Sequence, residues 1–359
     1  MNAFRLIIIN LVVLLVLFLV AEGGLRAVWT AQRCMGEGCD FSRLTSVKFQ
    51  DFSERLETKF LGLTQFDPDL GYAPAPGFDG VISAQGWDNA KVTIDANGFR
   101  VSNETPPATQ ADILVVGDSF TFGDQVSNGE TWAACVERKL ERKVDNGGVF
   151  GFGAAQSFKR ATLELQERDY NTLVVSILVG GDLERDQMNY RIGFPRPAVI
   201  STATGVGFAP VSDPKTPGTR YAPKPPRRVL VFFYENSLIA ATFMDRFISV
   251  ENMTGDRLQT MHPQAASIEE IARFVVAGLA DALVEEKILL LQYREDLKRG
   301  QVVDERDMLI RLAAEFPDLT VVDPYDTLAS YDAAEIWNEH HNPKGNEVIC
   351  EDLVAGAFQ

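Results

Sequence analysis

The fold of this 359-residue chain is decided by one stretch, ILVVGDSFTFG at residues 113–123. Its first four residues are apolar and partly β-branched, which is typical of a strand buried on both faces of a parallel sheet. Gly117 and Asp118 end the strand and residues 131–142 have helical spacing, so Ser119 lies at a strand-to-helix turn. Open α/β folds carry their reactive groups at such turns. Gly-Asp-Ser is also ordinary turn chemistry, and the tripeptide alone leaves both interpretations open.

Apolar strand-like segments alternate with amphipathic helices from residue 110 to the carboxyl terminus. Beyond residue 123, strands are predicted at 172–178, 287–293 and 320–323, and helices at 131–142, 155–169, 267–286, 304–316 and 343–357. Residues 190–227 carry many Pro and Gly without a period and predict a long insertion, whereas the apolar stretch 229–247 predicts a helix. The alternation predicts an α/β fold whose parallel sheet has right-handed crossovers.

The composition excludes one class of partner. A content of 46% hydrophobic residues is enough for a sizeable core, and the formal net charge is −16. Without a basic stripe to meet phosphates, the chain is not expected to bind nucleic acid. Anionic lipid would also repel this surface, so any membrane attachment has to come from apolar burial.

The amino terminus predicts such an attachment. Residues 6–21 are apolar with one exception, and flanking residues lengthen the segment toward the ~20 that a span needs. A cleaved signal peptide is the rival interpretation. Ala21 ends a poor cleavage site, and Glu22, Arg26 and Trp29 have the character of interface anchors, which favours a retained helix. The expected location is a single pass in a bacterial inner membrane, with a soluble body in the periplasm.

Three regions are predicted along the chain. Before the α/β body, residues 67–80 are rich in Pro and Gly and predict an extended loop, followed by strands at 81–84 and 91–94. The regions are a transmembrane anchor at 1–29, a membrane-proximal segment with a small β region at 30–108, and an α/β domain at 109–359 with the insertion at 190–227.

Four cysteines bear on the compartment. Cys34 and Cys39 enclose a short loop and would pair readily under oxidising conditions, whereas zinc would need more ligands nearby. Cys135 and Cys350 lie on predicted helices. We interpret them as buried small apolar residues, with a bond between them as the alternative.

Two of the three histidines, His340 and His341, are adjacent in the loop that follows the last strand. A serine on the first strand loop and a histidine on the last fit a nucleophile and its general base. A solvated pair of histidines in a turn is the alternative. No Gly-x4-Gly-Lys-Ser/Thr run supports phosphate binding at Ser119. His340, His341 and Glu347 lack the spacing of metal ligands on a helix, so no metal site is predicted.

The string at residues 117–123 resembles the nucleophile block of the SGNH (GDSL-type) esterases, whose four short motifs occur here in family order between residues 110 and 350. The resemblance implies a flavodoxin-like three-layer α/β/α fold with neither metal nor cofactor. It also implies that Ser119 is the nucleophile and that its amide is an oxyanion donor. The second block matches the glycine loop at 148–151, which implies the Gly151 amide as another donor.

The third and fourth blocks depart from the family pattern. The family's Gly-x-Asn-Asp reads Val-Gly-Gly-Asp at 179–182, so Gly181 stands where the oxyanion-binding Asn is expected and offers only its amide. The fourth block is Asp-x-x-His with an Asn two residues later. Asn342 therefore identifies His340 as the family histidine, and Trp337 occupies the position of the acid.

The loss of catalytic rate expected from these two departures can be bounded. Loss of one oxyanion donor lowers rates by about 10²–10³, and loss of the carboxylate that orients the histidine costs about 10⁴ in a serine protease. Because members of a triad act as a unit, the two losses need not add. Glu335, Glu339 and Asp332 are candidate carboxylates for orienting His340.

The resemblance implies a membrane-anchored periplasmic ester hydrolase, or an acyl (acetyl) transferase, that acts on an acylated carbohydrate. The alternative is a catalytically degenerate domain that serves as a glycan-binding or structural subunit beside a membrane-protein partner. Gly181 and Trp337 favour that alternative.

Overall fold

The computed structural model describes residues 3–34, 63–84, 87–102, 111–191, 194–203, 205–211, 228–247 and 259–358. It divides into two compact units, the first formed by Met1–Lys59 with Gly218–Leu258 and the second by Phe60–Pro217 with Gln259–Gln359. Ser119 and His340 both belong to the second unit.

The secondary structure of the described residues is numbered here in chain order. The strands are β1 (Thr64–Asp67), β2 (Gly71–Pro74), β3 (Asp79–Ala84), β4 (Trp87–Thr93), β5 (Ile113–Val116), β6 (Val144–Asn146), β7 (Thr172–Leu178), β8 (Met188–Arg191), β9 (Phe194–Pro195), β10 (Val199–Thr202), β11 (Gly205–Phe208), β12 (Gln259–Met261), β13 (Glu286–Gln292), β14 (Leu319–Val322), β15 (Trp337–Asn338) and β16 (His340–His341). The helices are α1 (Ala3–Cys34), α2 (Ser119–Phe122), α3 (Trp132–Leu140), α4 (Ala154–Glu167), α5 (Asp182–Arg185), α6 (Arg228–Asn236), α7 (Leu238–Phe247), α8 (Ile268–Ala280), α9 (Gly300–Ala313), α10 (Tyr325–Ala329), α11 (Ala333–Ile336) and α12 (Pro343–Ala357), with a 3₁₀ turn at Asn128–Glu130.

The predicted parallel sheet is confirmed. Its five strands lie in the order β14-β13-β7-β5-β6, and each neighbouring pair is parallel. All four residues of β5 are buried, as its apolar run predicts. In chain order the sheet reads 2-1-3-4-5, so the order reverses between β5 and β7. Ligands of doubly wound folds bind outside the carboxyl ends of the strands at this switch point, which is where Ser119 follows β5.

Helices cover the sheet and give the three-layer α/β/α arrangement. In one layer α4 packs on β5 and β7, α8 packs on α4 and β13, and α9 packs on α8 and β14. In the other layer α3 and α12 contact each other, α3 also contacts β6, and α12 contacts β14. The capping box predicted at Ser267 begins α8, because its hydroxyl accepts from the Glu270 amide.

The predicted extended loop and the predicted insertion both contain strands. β1 and β2 form an antiparallel hairpin over residues 64–74, and β2 lies in the predicted loop. The Asp67 carboxylate accepts from the amides of Asp69 and Leu70 and closes the turn. The described part of the predicted insertion carries β8 to β11, with β10 and β11 paired antiparallel from Val199–Phe208 to Thr202–Gly205. Residues 212–227 lie outside the described residues.

The interpretation of Cys135 and Cys350 as unpaired residues is wrong. They form a disulfide between α3 and α12, with their Cα atoms 6.0 Å apart. The bond is possible because α3 and α12 pack side by side. Cys39 lies outside the described residues, so the pairing of Cys34 with Cys39 stays a prediction.

The first unit contains α1, α6 and α7. The single helix predicted at 229–247 is interrupted at Ser237, whose hydroxyl donates to the Glu22 carboxylate at 2.9 Å. The same carboxylate accepts from the Leu238 amide at 2.6 Å and from Arg26 at 2.7 Å. The Glu22 carboxylate thus caps the start of α7, and Arg26 pairs with it. That these two residues are interface anchors stays a prediction. No helix among the described residues combines the length and apolar character that a membrane crossing requires, so the predicted transmembrane helix is not supported.

Candidate active site

The turn after β5 holds Ser119 as the first residue of α2. Asp118 is the N-cap, and its carboxylate accepts from the Phe120 amide at 2.9 Å. The first amides of a helix have no intrahelical acceptor, and the Ser119 amide is the first of this one. Gly117 is required here because a Cβ on it would lie 2.2 Å from the Thr121 hydroxyl. The turn therefore fixes both the hydroxyl and the amide of Ser119.

Ser119 and His340 are brought together across 221 residues. The Ser119 Oγ lies 2.8 Å from His340 Nε2, which is hydrogen-bonding distance. His340 is held on the short β15–β16 hairpin, and the Asn342 side chain after it accepts from the Gly345 amide to cap α12. The tautomer in which Nε2 accepts the serine proton carries its own hydrogen on Nδ1. This is the arrangement that a nucleophile and its general base require.

His341 has a different environment from its neighbour. Its side chain is 2% exposed, and it packs edge-on against Phe120 with ring centroids 5.0 Å apart. Burial, assisted by the nearby His340, lowers the pKa of His341 to about 3. His341 is therefore a neutral packing residue, and the alternative of a solvated histidine pair does not describe this loop.

The position of the family acid holds a buried indole. Trp337 Nε1 donates to the Tyr293 carbonyl at 3.1 Å, which ties the histidine loop to the end of β13. The predicted substitutes for the acid have other partners, since Glu335 pairs with Lys344 at 3.7 Å. The Glu339 carboxylate accepts from the Gln125 amide at 3.1 Å. Both carboxylates are exposed, and these contacts do not supply the orienting role predicted for them.

Asp124 is a carboxylate near His340 that the sequence reasoning missed. Its Oδ2 lies 3.9 Å from His340 Nε2, and its side chain is 2% exposed. This is the nitrogen that faces Ser119, so Asp124 can stabilise a positive imidazole ring without orienting Nδ1. Its signal was the second aspartate of GDSFTFGD, directly after Gly123, whose φ of 84° ends α2.

A buried cation compensates the charge of Asp124. Arg100 is 1% exposed and donates to the carbonyls of Phe122, Gly123 and Val126. Burial lowers the pKa of Arg100 to about 10, and the charge of Asp124 opposes that shift. One guanidinium thus fixes the backbone of the loop that follows α2.

A second buried network lies beside the nucleophile turn. Arg185 donates to Asp118 at 2.8 Å, to Asp182 at 2.5 Å and to the Phe152 carbonyl at 3.0 Å. Burial and the neighbouring Asp118 charge raise the pKa of Asp182 well above its usual value. Burial alone would lower the pKa of Arg185, but the two carboxylates raise it. One cation thus joins the first, second and third motif loops.

The glycine loop of the second block packs directly on the nucleophile turn. A Cβ on Gly148 would lie 2.2 Å from the Phe122 amide nitrogen, so only glycine fits there. Val149 donates its amide to the Gly117 carbonyl at 2.9 Å. Gly151, the predicted second oxyanion donor, has a φ of 74° and follows in the same loop. The prediction that it donates to an oxyanion is untested.

Gly181 contributes less than predicted. Its amide donates to the Leu178 carbonyl at 3.2 Å, so that hydrogen is already used within the loop. The preceding Gly180, at φ 76°, donates its amide to Glu305 at 2.7 Å. Burial raises the pKa of Glu305 to about 7. The amide hydrogen of Gly181 is therefore not free for the oxyanion role predicted for this residue.

No family model matches this sequence, and no curated protein matches it. Solved structures to which the chain is similar include G-D-S-L proteins, in line with the motifs. They are an alpha/beta hydrolase enzyme from the metagenome of Lake Arreo, Spain (15% identity, 70% of this chain and 96% of that one, TM-score 0.38), a lipolytic protein of the G-D-S-L family from Veillonella parvula (13%, 68% and 97%, 0.38), and an acetylxylan esterase from Geobacillus stearothermophilus (12%, 71% and 97%, 0.38). These likenesses assign no substrate to this chain.

Proposed function

We propose that this protein is a serine ester hydrolase or acyl transferase that removes or transfers a small acyl group, such as acetyl, on a carbohydrate. The observation that carries the proposal is the 2.8 Å contact between Ser119 Oγ and His340 Nε2 at the switch point of the sheet. A turn without a catalytic role would not need to hold a half-buried imidazole at hydrogen-bonding distance from a hydroxyl.

The chemistry follows from the two side chains. Ser119 Oγ attacks the ester carbonyl carbon while its proton passes to His340 Nε2, and the carbonyl oxygen becomes an oxyanion. The intermediate collapses to an acyl-serine, and the leaving alcohol takes the proton from Nε2. Water, or a second hydroxyl in a transferase, then attacks the acyl carbon and gives its proton to the same nitrogen. The bond between the acyl carbon and Ser119 Oγ then breaks, Oγ takes the proton back from His340 Nε2, and the acyl product leaves.

The charge that develops on the imidazole has a nearby counterpart. Asp124, 3.9 Å from Nε2, favours the protonated ring electrostatically, and the buried Phe120 supplies an apolar wall 4.8 Å from the imidazole between ring centroids. Low local dielectric strengthens such interactions. Asp124 thus supports the view that the site works without an acid at position 337.

The disulfide between Cys135 and Cys350 supports an oxidising compartment. We propose the periplasm, with membrane association through the exposed apolar side chains of α1, of which Leu14, Leu17 and Val20 are 60% exposed or more. Alkaline carbonate extraction of membranes from cells making the full chain tests this. Recovery in the pellet supports it, and complete recovery in the wash contradicts it.

The experiment for the activity is release of acetate from p-nitrophenyl acetate and from acetylated xylo-oligosaccharides. Ser119→Ala and His340→Ala are expected to lose activity by about 10³-fold or more, since each removes a member of the unit. Ser330→Ala and His262→Ala are the matched controls, because both residues lie outside the site. Equal rates for all five proteins would refute the proposal and favour the alternative of a glycan-binding or assembly module.

A further inference from the structure

The space left by the missing asparagine is next to a cation. An ideal Cβ built on Gly181 would lie 3.6 Å from Nη2 of Arg294. A side-chain amide at position 181 would extend one more carbon from that Cβ. One guanidinium nitrogen of Arg294 thus lies in contact with the place where the side chain of the expected asparagine would begin. This inference rests on the proposed function, because it concerns the oxyanion of the same reaction.

Arg294 belongs to the carboxyl edge of the sheet. It follows β13, which pairs with β7, the strand that leads to Gly181. The preceding residue, Tyr293, accepts the Trp337 indole hydrogen through its carbonyl, so this loop is attached to the histidine loop. Arg294 is exposed, and within the part of the chain that the structure describes no carboxylate pairs with its guanidinium. Its hydrogens are therefore available to a ligand.

The loop of Gly181 is also coupled to the nucleophile. Asp182 and Asp118 share the guanidinium of Arg185, and Asp118 caps the turn that holds Ser119. Arg294 thus has Gly181 beside it, and Gly181 belongs to a loop fixed rigidly to the nucleophile turn. Because these contacts are buried and charge-assisted, the relation between the two loops is well determined.

We propose that the Arg294 guanidinium is the oxyanion donor that replaces the missing asparagine side chain. As Ser119 Oγ bonds to the ester carbon, the carbonyl π electrons move onto oxygen, and an Arg294 N–H donates to that oxygen. No proton leaves the guanidinium, and the hydrogen bond weakens again when the carbonyl reforms. Hydrogen bonds to charged donors are about twice as strong as neutral ones, so an arginine can compensate for a lost amide.

The test is a pair of substitutions with a rescue. Arg294→Met keeps the length of the side chain and removes every donor. Gly181→Asn then adds the amide back, and position 181 accepts it because φ is −152° and the nearest atom to the new Cβ is 3.4 Å away. Arg299→Met, on the same loop with an exposed side chain, is the matched control.

With p-nitrophenyl acetate, Arg294→Met should lower kcat by about 10²-fold with KM nearly unchanged, as removal of an oxyanion donor does. The double variant should regain about 10-fold or more, and Arg299→Met should match the wild type. An unchanged kcat, a loss confined to KM, or a double variant no better than the single one would overturn the inference.

Wild-type labelling at Ser119 by a fluorophosphonate separates the two levels of the proposal. If the wild type is labelled and Arg294→Met keeps its full kcat, the inference fails and the proposed function stands. If the wild type is neither labelled nor active, the proposed function fails and the inference fails with it.

Discussion

Replacing Asp124 by Asn tests whether electrostatics compensates for the missing acid. The substitution keeps the shape of the side chain and removes the charge that lies 3.9 Å from His340 Nε2. The loss of this charge takes effect when the His340 imidazole becomes positive during attack by Ser119. A purely structural role for Asp124 would leave that step unchanged, so the rate of the chemical step is the informative quantity.

The magnitude follows from Coulomb's law. Two unit charges 3.9 Å apart interact by about 4 kcal/mol at an effective dielectric constant of 20. This is an upper limit, because the buried Arg100 guanidinium already interacts with the Asp124 carboxylate. We expect about 1–2 kcal/mol to remain, which corresponds to a loss of about 5- to 30-fold in kcat.

The assay is steady-state hydrolysis of p-nitrophenyl acetate between pH 5 and 9, with thermal unfolding as a check on the fold. Without the carboxylate a positive ring is less favoured, so the acidic limb of the kcat/KM profile should move to lower pH. Asp145→Asn is the matched control, since it removes a different buried carboxylate that accepts from Tyr170. An unchanged kcat, or an equal loss in the control, would refute the reasoning.

Three further predictions concern stability and the position of the acid. Burial raises the pKa of Glu305 from 4.5 to about 7, so between these values the folded chain holds a proton that the unfolded chain has lost. The free energy of unfolding should fall by up to about 3 kcal/mol as the pH rises through this window. Glu305→Gln, whose side chain still accepts from Gly180, should lose this difference between pH 5 and pH 8 in urea unfolding. An equal fall in the wild type and the variant would contradict this. Replacing both Cys135 and Cys350 by Ala opens a crosslink spanning 215 positions and should cost about 2–5 kcal/mol in the same unfolding assay, and an unchanged midpoint would show that the bond is absent. Trp337→Phe, which removes one buried hydrogen bond, should lower stability by about 1 kcal/mol and leave kcat within about 3-fold, whereas a loss of 10²-fold would give the indole a catalytic role.

Much of the fold was predictable because its signals are local. The apolar run before Ser119 predicts a buried strand, and the cap at Asn342 with Pro343 begins the last helix where expected. A serine and a histidine on strand loops predicted a nucleophile and its base, but the choice of His340 over His341 depended on the resemblance to a family. Spacing within the chain does not say which loops meet across a sheet.

The missed features all depend on contacts between distant residues. The only local signal of Asp124 is its place after Gly123 in GDSFTFGD, which a turn aspartate shares, and its proximity to His340 arises from the hairpin more than 200 residues later. The same holds for the Cys135–Cys350 disulfide and for Arg294 beside Gly181. Sequence shows which expected side chains are missing, whereas only the packing shows which groups stand near the vacated positions.

The central claim is that the Ser119 hydroxyl is an activated nucleophile. Its most direct measurement is covalent labelling of the full chain by a fluorophosphonate, with the modified residue located by mass spectrometry. The account predicts one adduct on Ser119 that forms within minutes at neutral pH, is lost in Ser119→Ala and is strongly slowed in His340→Ala. A folded wild-type protein that forms no adduct, or forms it at another serine, would contradict it.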